Sequence, residues 1–159
     1  MKKIFFCFMF LGFLFNLNSQ NLEKEEVQRV IEKFFIGFHE KDSLTIASTV
    51  YSIDFKLLST STAQDGKAVL SPVPFYSFLN VLLQRPSDAN WKEKLTGFEI
   101  KIDGKLANAW VSYEFWVKGN FSHCGVNSFN LFKGDDGWKI VTLIDSRSIE
   151  NWNLNSLTN

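Results

Sequence analysis

Three turn signals at nearly even spacing divide residues 95–148, and they restrict the fold more than any other feature of this chain. They are Asp103-Gly104, Gly119-Asn120 and the run Gly134-Asp135-Asp136-Gly137. Between them, from Leu95 to Ser148, the residues alternate with the period of half-buried strands. Asp-Gly suits a type I′ turn, and a glycine-first Gly-Asn pair suits II′. Gly-Asp-Asp-Gly suits a type I turn closed by a left-handed glycine and its bulge. Tight turns join only antiparallel neighbours. The second half of the chain is therefore expected to be a four-strand antiparallel meander.

The first half has a different period. Val27, Val30, Ile31, Phe34, Phe35 and Phe38 fall on one stripe of an amphipathic helix over residues 22–40. Asn21 is placed to cap it, and Glu23 lies in the first turn, where the helix dipole favours an anion. Ser43 is expected to cap a short second helix carrying Leu44, Ile46, Ala47 and Val50. "DFKLLST" reads as a short strand and "AQDGKAVLSPVP" as a loop. Pro72 or Pro74 then opens a third helix through Phe75, Phe78, Leu79, Leu82 and Leu83, which Pro86 closes. Helices first and a meander last define an α+β fold. With 159 residues, the chain suffices for one domain.

Residues 1–20 read as a signal peptide rather than as part of that domain. Lys2 and Lys3 precede an apolar run from Ile4 to Phe15 of signal-sequence length, shorter than the roughly 20 residues of a membrane span. The expected organisation is a signal at 1–20, a domain at 21–148 and a polar tail at 149–159. Export to the periplasm or the extracellular space follows, with no membrane span after cleavage near Gln20; the alternative is an uncleaved anchor, because Asn18 and Gln20 are not the small residues a signal peptidase prefers. The full chain carries 17 basic and 17 acidic residues, and removing Lys2 and Lys3 leaves a charge of about −2. That balance argues against a nucleic-acid partner, which needs a clustered positive face. Cleavage also removes Cys7, and Cys124 alone makes neither an internal disulfide nor a multi-cysteine metal cage. No metal and no cofactor are expected.

The stretch "FSHCGVNSF" places His123 beside Cys124. Adjacent strand residues point to opposite faces, so the pair is not expected to act as a nucleophile and its base. Cys124 reads as a small buried apolar residue. A loop at 119–120 would set Trp116 opposite His123, Glu114 opposite Gly125 and Ser112 opposite Asn127. A loop at 135–137 would set Asn127 opposite Asp145 and Gly125 opposite Arg147. One face would then collect Trp110, Ser112, Glu114, Trp116, His123, Asn127, Phe129, Asp145 and Arg147. The other would collect Ala109, Val111, Tyr113, Phe115, Cys124 and Val126. A four-residue final loop would instead turn Asp145 and Arg147 toward Cys124.

An acid pair, a histidine, an arginine and aromatics on one face fit a small-ligand pocket. His123 with Asp145 or Glu114 is the candidate acid–base pair, because a neighbouring carboxylate orients an imidazole and raises its basicity. Trp110, Trp116, Asn127 and Arg147 are the candidate ligand-binding residues, with Arg147 able to grip an oxyanion bidentately. The competing readings are structural. Asp145 and Arg147 could close the sheet as an ion pair, His123 could stack on Trp116, and Trp110 and Phe129 could be core.

The helix "VIEKFFIGFHEKD", the strand "FKLLST" and the ending "FSHCGVNSFNLFKGDDGWKIVTLIDSRS" resemble the nuclear transport factor 2-like superfamily, over most of residues 22–148. "SHCG" and the closing "GWKI…DSR" are the most specific parts, and they are most similar to small exported SnoaL-like or lumazine-binding-like bacterial proteins. The resemblance implies helices packed into a strongly curved antiparallel sheet, a cone-shaped, cystatin-like roll with a pocket at its open end. Isomerases, dehydratases, hydrolases and pure binding modules share that pocket, so the fold does not name the activity. Three expectations follow: a binder of a small organic ligand, an acid–base enzyme using His123, or a dimeric interaction module with a vestigial pocket. A homodimer is expected, because both sheet faces carry large apolar groups and the helices cover one.

Overall fold

The computed structural model describes residues 4–148, with side chains described from 20 to 147. Helices α1 (Ile4–Glu40) and α2 (Ser43–Thr49) come first, followed by strands β1 (Lys56–Thr62) and β2 (Ala68–Val73). Helix α3 (Phe75–Gln84) leads through a single 3₁₀ turn into β3 (Lys92–Asp103), β4 (Leu106–Val117), β5 (Asn120–Gly134) and β6 (Gly137–Ser148). The six strands form one sheet in the order β2-β1-β6-β5-β4-β3. Only β1 and β6 run parallel; the other pairs are antiparallel. The fold is α+β, with three helices packed on this sheet.

The stripe on α1 forms the core as its periodicity requires. Val27, Ile31 and Phe34 are buried against Ala109, Val111, Phe129, Leu131 and Ile140, which project inward from β4, β5 and β6. Three local expectations change. Helix α1 runs unbroken through Gln20 and Asn21, so Asn21 caps nothing in the full-length chain. Met1, Lys2 and Lys3 of the expected signal and the tail at 149–159 lie outside the described residues. The cap of α2 is Asp42, not Ser43: its Oδ1 accepts from the backbone N–H of Leu44 and of Thr45, each at 3.0 Å. Residues 68–73, read as loop, form the edge strand β2, with Leu57 opposite Val73. A proline hid this strand, since Pro72 suits only a sheet edge or a bulge. Of the two candidate prolines, Pro74 opens α3. No helix among the described residues is long and apolar enough to cross a membrane.

The turns sit one residue from their expected places. The β4–β5 loop is Lys118-Gly119, with φ of 52° and 79°, so both central residues are left-handed and the turn is of type I′. A bulge follows at once: Trp116 faces Phe121, Phe115 faces His123, and Ser122 is the extra residue. The last hairpin closes with Gly134 opposite Gly137 and carries its own extra residue at Val141. A third irregularity falls between Leu95 and Gly97 on β3. Six strands laid flat would span roughly 24 Å. Residues from all six nevertheless line one cavity, so the sheet curls around it, and bulges are the usual means of bending strands.

Candidate functional site

Three consecutive rows across the sheet build the polar wall of this cavity. Glu93, Phe115 and His123 form the first row; Tyr113, Gly125 and Arg147 the second; Asn127, Asp145 and Ser59 the third. Phe34, Phe35 and Phe38 of α1, Phe78 and Val81 of α3, and Trp91 supply the apolar side. The enclosed volume is about 310 Å³. That is the size of a small organic molecule's site.

The polar residues are joined into two units. Both oxygens of Asp145 are engaged. Its Oδ1 accepts from the Tyr113 hydroxyl at 2.6 Å, and its Oδ2 accepts from Ser59 Oγ at 3.0 Å and Arg147 Nε at 2.7 Å. Separately, Asn127, only 3 % exposed, donates from Nδ2 to Glu93 Oε1 at 2.6 Å. Behind Glu93, its backbone N–H donates to Nε2 of His39 at 3.0 Å, which requires that nitrogen to be unprotonated. Burial pushes the His39 pKa down in the same sense.

Desolvation sets the charge state of the wall. It pushes the Glu93 carboxyl up to about 8, with the nearby Asp145 charge adding to the rise and the Asn127 bond and Arg147 opposing it. Glu93 is thus largely protonated at neutral pH. Burial, and then the Asp145 charge, lift the Tyr113 hydroxyl well above its ordinary value. Burial and the Arg147 charge lower His123, against the pull of Asp145. His123 stacks on Phe115, with ring centroids 4.9 Å apart, and its Nδ1 contacts Ser122 Oγ at 3.1 Å. Its ring is therefore largely neutral near pH 7. Among the described residues, no group of three or more His, Cys, Asp and Glu side chains is arranged to hold a metal.

Of the residues singled out from sequence, His123, Asn127, Asp145 and Arg147 line this one cavity. Glu114, Trp110 and Trp116 do not. Moving the β4–β5 loop by one residue shifts the pairing by two and keeps the faces. The extra residue Ser122 then takes one back, and this odd offset exchanges the faces of β4 relative to β5, so Tyr113 and Phe115 replace Glu114 and Trp116 in the pocket. Glu114 accepts instead from the Trp116 indole N–H at 3.0 Å, outside the cavity lining. Lys94 lies 4.1 Å from the centre of the Trp116 ring, and Trp110 is 46 % exposed. The stacking partner expected for His123, Trp116, is replaced by Phe115. Cys124 is buried and lies outside the cavity lining, on the opposite side of β5 from His123. Glu93, Tyr113 and Ser59 join the site without having been expected there. A signal for Glu93 was present: extending the alternation of Leu95 back by two residues puts Glu93 on the inward side.

Gly125 makes the Tyr113–Asp145 bond possible. The tyrosine ring crosses β5 directly above it: a Cβ at Gly125 would stand 2.8 Å from the Tyr113 hydroxyl oxygen and 2.1 Å from the Ser146 carbonyl oxygen. A backbone atom is among those contacts, so rotating a side chain does not relieve the overlap. Gly125→Ala is expected to cost about 1–3 kcal/mol of stability, as overpacking does, and to displace Tyr113 from Asp145. Chemical denaturation together with the Tyr113 ring shifts in NMR measures both; an unchanged ring environment would show that the tyrosine does not depend on this glycine.

No protein-family model matches the chain, and no curated protein does. Solved structures do match. An NTF2-like protein with a cystatin-like fold from Novosphingobium aromaticivorans superposes with a TM-score of 0.66 at 12 % identity, over 92 % of this chain and 95 % of that one. An NTF2-like protein of unknown function from Shewanella baltica gives 0.60 at 19 % identity, over 81 % and 96 %. The chain has the nuclear transport factor 2-like fold. A Streptomyces avermitilis protein of the NTF2-like family, assigned provisionally as a dehydratase, gives 0.63 at 13 % identity, over 82 % and 99 %. At these identities the likeness concerns the fold alone, and within a nuclear transport factor 2-like fold the chemistry rests on the residues described above.

Proposed function

We propose that this chain binds a small organic ligand in the cavity, with an apolar body among the phenylalanines and one polar end against the Glu93–His123–Arg147 wall. The observation that carries this reading is the division of one cavity into an aromatic half and a half of convergent polar groups. Arg147 engages Asp145 through Nε, which leaves the outer edge of its guanidinium for a ligand oxygen. Protonated Glu93 offers an O–H donor, and His123 a ring nitrogen. The groups that fix orientation are thus in place, and Asp145 serves to hold Tyr113 and Arg147.

Isothermal titration with aromatic and alicyclic carboxylates and ketones tests the reading, and saturable binding of at least one class is expected. Arg147→Ala should weaken a carboxylate by about 1–2 kcal/mol, roughly fivefold to thirtyfold, because the side chain is half exposed and its charge-assisted bond is partly screened. A neutral ketone of the same shape should lose less. Failure of every compound to bind would remove the proposal.

A second reading, acid–base catalysis, draws on a specific feature. Glu93 is shifted up and His123 down in the same cavity, the pattern of groups tuned for proton transfer. The pair differs from the one expected from sequence: Glu114 is outside the cavity lining, and Asp145 is occupied by three donors. The provisional dehydratase among the structural neighbours lends only analogy. His123→Asn separates the readings. It should cost a factor of about 10²–10⁴ in rate if the protein is an acid–base enzyme, and only a modest loss of affinity if it is a binder.

A further inference from the structure

Arg85, the residue that ends α3, is only 6 % exposed although it carries a charge. Its Nη2 donates to the His39 carbonyl at 2.8 Å, one of the carbonyls left over at the C-terminus of α1. Its guanidinium carbon lies 5.6 Å from the centre of the Phe38 ring and 5.3 Å from that of Trp91. Those two rings stack with centroids 6.4 Å apart, and both line the cavity. The backbone carbonyl of Arg85 is itself held by Lys41 Nζ.

These contacts have a cost. Nε and Nη1 of Arg85 are buried without a hydrogen-bond partner among the described residues. A leucine or methionine would fill the same space without burying a charge. What only a planar cation supplies is a simultaneous hold on two aromatic faces and a helix-end carbonyl, with the negative end of the α1 dipole in its favour. The three pieces so joined, the end of α1, α3 and the Trp91 segment, contribute Phe38, Phe78, Val81 and Trp91 to the apolar half of the cavity.

We infer that Arg85 is a positioning residue that sets the size of the cavity's apolar end by clamping these three pieces together. The inference rests on the ligand-binding reading above, and it goes further by naming what limits the ligand's apolar body. Arg85 is absent from the cavity lining, so it acts through Phe38 and Trp91.

The test compares two probes with the same polar end, 2-naphthoate and pyrene-1-carboxylate, on the wild type, Arg85→Met and Arg85→Lys. Loss of the clamp is expected to shift the ratio of the two dissociation constants toward the larger probe by at least fivefold in Arg85→Met. Arg85→Lys, which keeps the charge but not the planar contact, should shift it by at least twofold. A merely structural role would weaken both probes together, and an unchanged ratio overturns the inference. Should Arg85→Met fail to fold, the lysine variant decides by the same criterion. Should the wild type bind neither probe, the ligand-binding reading fails for this class. Amide hydrogen exchange then decides on the clamp: faster exchange over residues 75–84 in Arg85→Lys, with residues 126–131 unchanged, supports it, and equal exchange overturns it.

Discussion

Replacing Glu93 by glutamine is expected to make the protein more stable at pH 8 and to flatten the decline of its stability between pH 5 and 8. Burial raises the Glu93 carboxyl to about 8 in the folded chain, while an unfolded glutamate titrates near about 4.3. Between these values the folded state holds a proton that the unfolded state has lost. Stability therefore falls as pH rises, by about 1.4 kcal/mol per pH unit at the steepest. The contribution of this group is complete below about pH 4.3 and gone above about pH 8. Glutamine keeps an oxygen to accept from Asn127 and carries no charge to desolvate. Urea denaturation of both proteins at several pH values measures the effect. Parallel pH profiles would show that Glu93 is already ionised in the folded state, and the acid–base reading of the cavity would lose its main support.

Phe129→Ala should destabilise the fold by about 3–5 kcal/mol, the usual cost of emptying a fully buried phenylalanine site. Phe129 is 0 % exposed and meets the edge of Phe35 with ring centroids 6.3 Å apart. It ties β5 to α1, and the elements around it have little freedom to collapse: the ring lies between a helix and the centre of a hydrogen-bonded sheet. Phe121→Ala is the internal control, because Phe121 is 43 % exposed, near the hairpin end. Its loss should cost no more than about 1 kcal/mol. Equal shifts in the denaturation midpoint for the two variants would contradict the placement of the core.

Asn127, Asp145 and Arg147 illustrate how a local pattern reaches a correct tertiary pairing by an incorrect route. The loop expected at 135–137 would place Asn127 opposite Asp145 through the whole hairpin. The actual turn is tighter by one residue, and the bulge at Val141 restores the offset, so Asn127 faces Asp145 all the same. At the β4–β5 turn the outcome differs. The loop is Lys118-Gly119 and the bulge at Ser122 corrects only part of the offset, so Glu114 and Trp116 exchange places with Tyr113 and Phe115. A turn motif states which residues can bend. It does not state where an extra residue will be accommodated, because that depends on how the strand must curve over the helices.

The one-dimensional pattern determined the element types. The 3.6-residue stripe from Val27 to Phe38 places a helix against the core, alternation from Leu95 onward makes strands, and glycines at three points join them as antiparallel neighbours. Those are local properties, legible because backbone geometry ties each period to one kind of structure. Tertiary structure decided which side chains meet. Glu93 enters the cavity through the pairing of β3 with β4, Tyr113 through one bulge and Ser59 through the parallel contact of β1 with β6, while the packing of α3 on the end of α1 brings Arg85 against Phe38 and Trp91 behind the lining. In a sheet with a side-chain period of two, a one-residue shift changes the face of every residue beyond it. The composition of the site therefore depends on contacts between residues as far apart as Ser59 and Asp145, which no short stretch of the chain encodes.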